Sequence, residues 1–92
     1  MSKIKFKVEV SINEATGEPR AAYLRVRDGF ASDTREVVDG KAFADYGEEG
    51  ELLGVEFLAP CAASILDRIT AQEPDNVQRF FRSAVPHELV CG

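Results

Sequence analysis

The pattern of this chain predicts an α+β single domain. It is an antiparallel β-meander sheet of about five strands, with two C-terminal helices packed on one face. Three observations carry the prediction. Ile4, Phe6, Val8, Val10 and Ile12 alternate with Lys3, Lys5, Lys7, Glu9 and Ser11, a period of two residues. Short turn signals at Asp28-Gly29, Asp39-Gly40 and Gly47 to Gly50 punctuate the chain up to Leu58. Beyond Pro60 the apolar period lengthens to that of a helix. One domain over 1–92 is expected, with a sheet region over 1–58 and a helical extension over 59–92.

The first strand has one apolar face and one wet face. Asn13-Glu14-Ala15-Thr16-Gly17-Glu18-Pro19 follows as a turn, rich in residues that tolerate tight backbone geometry. A second strand sets Ala22, Leu24 and Val26 against Tyr23, Arg25 and Arg27. Thr34 to Val38 reads as a third strand. Asp39-Gly40 signals a type I′ turn, which needs positive φ at both central residues. Lys41 to Tyr46 then pairs back as the fourth strand. An acidic hairpin tip leads to the fifth, Leu52 to Leu58, with Leu53, Val55 and Phe57 on one face. Short turns imply antiparallel neighbours throughout, because parallel pairing needs long crossovers.

Pro60 suits a first helical turn, and Ala62, Ile65, Leu66 and Ile69 recur at helical spacing. A second helix opens at Pro74-Asp75, carries Val77, Phe80, Phe81 and Ala84 on one stripe, and stops at Val85-Pro86. The expected core is Ile4, Phe6, Val8, Val10, Leu24, Val26, Val55, Phe57, Ile65, Leu66 and Ile69.

Ala21 to Val26, Arg35-Glu36-Val37, Asp45-Tyr46 with Glu49-Gly50, and Leu53-Gly54-Val55-Glu56-Phe57-Leu58 together resemble the domain of unknown function 2283 family of small bacterial and archaeal proteins. The likeness runs from about Ile4 to Leu58, and its last strand is the most specific part. The turn before the second strand is longer than in the family, with Arg20 beside the alanines. Gly47 stands where the family has Asp. The resemblance implies a small sheet and no established activity. Some members are similar to partners of small toxin-like proteins.

Composition narrows the function classes. A formal charge of −5 argues against general nucleic-acid binding, which needs a basic footprint. The charged opening, Met1 to Lys7, is no signal peptide, and no apolar run reaches the ~20 residues of a membrane span. A cytoplasmic chain with reduced thiols is expected. Cys61 and Cys91 read as small apolar side chains, although the position of Cys61 after Pro60 would suit a reactive thiol at a helix start. Asp45, Glu48, Glu49 and Glu51 lack the alternating ligand spacing of a calcium loop and read as a solvated tip. His87 is the single histidine, and no metal-ligand or nucleophile–base spacing surrounds it. No catalytic residue, metal or cofactor is assigned.

Two surfaces stand out. Lys3, Lys5 and Lys7 on the first strand, with Tyr23, Arg25 and Arg27 on the second, form a basic aromatic face if those strands are neighbours. Phe80 and Phe81 either pack on the sheet or form a subunit or partner interface. The leading expectation is a non-catalytic interaction module that binds an unknown protein or itself, with a homodimer favoured over a monomer. The alternatives are an antitoxin-like acidic partner of a small basic toxin, and a small-molecule or nucleic-acid binder that uses the basic sheet face.

Overall fold

The computed structural model describes residues 4–91. Five strands form one antiparallel sheet: β1 (Ile4–Ile12), β2 (Pro19–Arg27), β3 (Asp33–Val38), β4 (Ala42–Tyr46) and β5 (Leu52–Phe57). Their spatial order is β1-β2-β5-β4-β3. A simple meander would place β3 beside β2. Here the β2–β3 link crosses to the far edge, and β5 closes the sheet between β2 and β4. The central place of β5 matches its composition. Leu52, Val55 and Phe57 are buried, as a strand paired on both sides requires.

Register fixes which residues share a face. On one side, Val10, Ala22, Phe57, Ala42 and Val38 form a row across the sheet, and Val8, Leu24, Val55, Ala44 and Arg35 form the next. Small Ala22, Ala42 and Ala44 flank the large Phe57 and Val55, so the rows interlock without steric conflict. On the other side the rows read Glu9, Tyr23, Glu56, Phe43, Glu36 and Lys7, Arg25, Gly54, Asp45, Thr34.

Helices α1 (Ala63–Ile69) and α2 (Asp75–Ala84) cover the apolar side, followed by a 3-10 turn at His87–Leu89. Leu66, Val77, Phe81, Val85 and Leu89 are buried against Leu24, Val26, Val55 and Phe57. The Thr70 hydroxyl donates to the Leu66 carbonyl at 2.8 Å and ends α1. Arg82 donates to Asp67 Oδ1 through Nε (3.1 Å) and Nη2 (3.0 Å), joining α2 to α1. A short parallel pair, β6 (Cys61–Ala62) with β7 (Val90–Cys91), ties the two ends of the helical region together. This parallel pair departs from the all-antiparallel expectation. The two helices themselves supply the long crossover that it needs.

The expected core needs correction at two places. Ile4, Phe6, Val8 and Val10, with Ile12, are not buried; they are between 37% and 55% exposed. Two helices of roughly 10 Å diameter span about four strands at ~4.8 Å spacing. A fifth strand at the edge is therefore only partly covered, whatever its sequence pattern. Ile65 is only half-buried, while Val77, Phe81, Val85 and Leu89 complete the core.

Two turn details also differ from the sequence reading. At Asp39-Gly40 only Gly40 takes positive φ (67°), so the turn is not type I′. It closes through Lys41 N–H to the Val38 carbonyl at 2.9 Å, and a register shift between Glu36 and Val38 absorbs the mismatch. A bulge between Asp45 and Tyr46 sets Leu52 opposite Tyr46, which turns Leu52 into the main core and leaves Leu53 buried outside that cluster.

Candidate interaction surface

The sequence pattern gathers cations on the polar face, and the structure supports part of that arrangement. Strands β1 and β2 are neighbours, and Lys7, Tyr23 and Arg25 share the face. Lys3 lies outside the described residues. A register shift between Ile4 and Lys7 places Lys5 and Phe6 together against Val26, so strict alternation stops there. Lys5 still reaches Asp28, at 3.7 Å.

Register mixes the charges on this face. The row containing Lys7 and Arg25 lies beside the row containing Glu9, Glu56 and Glu36. Lys7 pairs with Glu9 at 3.1 Å. Arg25 Nη1 donates to the Arg27 carbonyl at 3.0 Å. Arg27 Nη1 donates to the Leu52 carbonyl at 2.8 Å and sits 2.8 Å from Glu73 Oε1. That second contact is coulombic, since the carboxylate oxygen accepts no aligned hydrogen bond. The cations are thus tied to neighbouring acceptors, and the face is a charge mosaic.

One polar network crosses the middle of this face. The Tyr23 hydroxyl donates to Asp45 Oδ2 at 2.9 Å, and the Thr34 hydroxyl donates to Asp45 Oδ1 at 2.6 Å. Its path runs over Gly54, where a Cβ would stand 2.5 Å from the Tyr23 oxygen and 2.8 Å from the Leu24 carbonyl oxygen. Only glycine allows that approach. Burial, then the hydrogen bond to Asp45, pushes the Tyr23 phenol up to about 12, against the opposing pull of Arg25.

The remaining candidates resolve into packing or turn chemistry. Cys61 is buried, and its thiol donates to the Ala59 carbonyl at 3.3 Å from strand β6 rather than from a helix start. The acidic tip is held by its own groups: Gly47 N–H bonds the Glu51 carbonyl at 2.9 Å, and Glu49 N–H bonds Glu51 Oε1 at 3.0 Å. Among the described residues no group of three or more His, Cys, Asp or Glu side chains is placed to hold a metal ion. Among them, too, no helix is long and apolar enough to cross a membrane. An apolar groove of 280 Å³ runs between Leu66, Val85 and Val90, with the Asp67–Arg82 pair and His87 on its lining.

The aromatic pair of α2 divides. Phe81 is fully buried and belongs to the core, so it is not an exposed contact. The helix stripe points its centre at the sheet, and Phe81 sits at that centre. Phe80 is half-buried and stacks on Phe6 of β1, with centroids 4.3 Å apart and planes at 19°. It forms the boundary between the helical layer and an apolar ledge made by β1. Val8 and Val10, opposite Leu24 and Ala22, stand on the helix side of the sheet and are 40–41% exposed. Beyond them lies the open edge of β1, which among the described residues pairs with β2 alone. Sequence periodicity marks this apolar stripe and assigns it to the interior. Only the width of the helical layer reveals that it is a surface.

The sheet's other edge is differently built. Arg35 of β3 stands on the helix side, with Nε at 2.7 Å from Asp33 Oδ2 and its guanidinium 4.9 Å from the Tyr46 ring. Arg68 of α1 donates to the Val37 carbonyl at 3.3 Å. A charged side chain on the edge strand and an occupied carbonyl are devices that block strand addition. Compared with protein-family models, curated proteins and solved structures, the chain matches none.

Proposed function

We propose that this chain is a non-catalytic interaction module that binds protein through its first strand. One observation carries the reading. An edge strand displays Phe6, Val8, Val10 and Ile12 beside a backbone edge that no strand among the described residues pairs, while the opposite edge is guarded by charge. An apolar edge of this kind recognises an extended segment by adding a strand. Backbone hydrogen bonds give affinity, and alternate side chains give specificity. The intermixed rows of Lys7, Arg25, Glu9 and Glu56 favour a protein partner over nucleic acid, because they offer no continuous basic track. The likeness to the domain of unknown function 2283 family belongs to the same reading and rests on Ala21 to Val26, Arg35 to Val37, Asp45 to Gly50 and Leu53 to Leu58.

Site-specific photo-crosslinking in the native cell tests it. A photoreactive residue in place of Val8 should capture a protein, whether another copy of the chain or a different one. The same residue in place of Glu36 on β3 should capture none. Absence of adducts at position 8 overturns the reading.

A further inference from the structure

We infer that the partner on β1 is a second copy of this chain, joined by antiparallel β1–β1 pairing about a twofold axis at Val8. The inference rests on the reading of β1 as a binding edge and adds the identity and register of what binds. With the axis perpendicular to the sheet, the helices of both copies stay on one side, and each residue faces its counterpart about Val8. Val8 meets Val8, and Phe6 meets Val10 of the second copy. On the polar side Lys7 meets Glu9, twice. Sliding the register by two residues in one direction sets Lys7 against Lys7, and in the other direction Glu9 against Glu9. Like charges directly opposite are unfavourable and unlike charges favourable, so charge selects one register of the three.

The apolar side agrees with that choice. In the selected register the Phe6, Val8 and Val10 side chains of the two copies form one continuous band, bounded on each flank by a Phe80 ring stacked on Phe6. Their present exposure, 40–41%, is what cross-strand neighbours would remove. The register shifts confine regular pairing in the β1–β2 ladder to Lys7 to Ser11, the stretch that holds the Val8–Val8 and Lys7–Glu9 pairs, while Phe6 lies at the bulge that begins it. At β3 an axis at Thr34 would likewise set Asp33 against Arg35, but Asp33 to Glu36 supply no apolar band and Arg68 already occupies the Val37 carbonyl. The result is one continuous sheet built from two copies.

Sedimentation analysis of the full chain, with two charge reversals, decides the matter. Wild type should dimerise at micromolar concentration. Lys7→Glu and Glu9→Lys should each weaken the dimer by about tenfold or more, because each creates two like-charge pairs. Mixing the two variants should restore a dimer of wild-type affinity. Positions 7 and 9 are then both acidic in one copy and both basic in the other, so each cross-axis pair joins unlike charges. No change within one chain can produce that recovery, so a folding defect in either variant is separable from the predicted contact. A wild-type monomer at high micromolar concentration overturns the inference, as does a dimer indifferent to both reversals. If the monomer nevertheless crosslinks at position 8 to a different protein, the binding-edge reading stands and self-pairing falls. If it crosslinks to nothing, both fall.

Discussion

Tyr23 shows how one side chain is shaped by its row. Its ring crosses Gly54 to reach Asp45, and burial with that hydrogen bond pushes the phenol up to about 12 from the ordinary 10. The neutral form is the favoured one, so the sign of the pH effect follows. The contribution to stability is fully present below about pH 10, where the unfolded phenol is still protonated, and is lost as pH rises from 10 toward 12. In a Tyr46→Phe background, the ultraviolet phenolate signal of Tyr23 should therefore appear well above pH 10. Tyr23→Phe should flatten the alkaline fall of the melting temperature between those values. A phenolate signal at the ordinary pH in folded protein would contradict the contact with Asp45.

At the scale of elements, α2 divides one helix between two duties. Phe81 sits in the core and Phe80 lies over the edge strand. Phe81→Ala should lower unfolding free energy by roughly 3–5 kcal/mol, the range for a buried aromatic. Phe80→Ala should lower it by about 1–2 kcal/mol, the worth of an aromatic pair plus the area of a half-buried ring. Urea denaturation of the two variants checks the split, and equal losses would refute it. The same contrast shows what is legible in the sequence. Helical spacing identifies Val77, Phe80, Phe81 and Ala84 as one stripe, and the period of two identifies the main strands. Neither pattern states how far a neighbouring layer extends. Phe6, Val8 and Val10 alternate as cleanly as Leu24 and Val26, yet only the latter are buried. Likewise the sequence places Lys7, Arg25 and Tyr23 on one face, but not their interleaving with Glu56 and Asp45. That depends on β5 and β4 lying beyond β2, a nonlocal pairing that no local signal encodes.

At the scale of the whole molecule, the helical region is a structural half of the core rather than an appendage to a finished sheet. Leu24, Val26, Val55 and Phe57 are fully buried, and the atoms that bury them on the helix side come from Leu66, Val77, Phe81, Val85 and Leu89. The β6–β7 pair then fastens the last described strand back to the start of α1. Removing residues 59–92 would deprive the core of those five apolar side chains. At ~1.5–3 kcal/mol for each fully buried side chain, the loss is roughly 7–15 kcal/mol. The total stability of a small domain is about 5–15 kcal/mol, so a gross loss of this size, only partly offset by the ordering entropy no longer spent on residues 59–92, should leave the sheet region 1–58 unfolded. A fragment ending at Leu58 should show no cooperative thermal transition by circular dichroism and should aggregate in light scattering, because its exposed Leu24, Val55 and Phe57 would adjoin the already open β1 ledge. Supplying residues 59–92 as a separate peptide should restore part of the strand signal if the helical layer acts through burial. A fragment that melted cooperatively without it would mean that the five-stranded sheet is self-sufficient and that the helices serve some end other than completing the core.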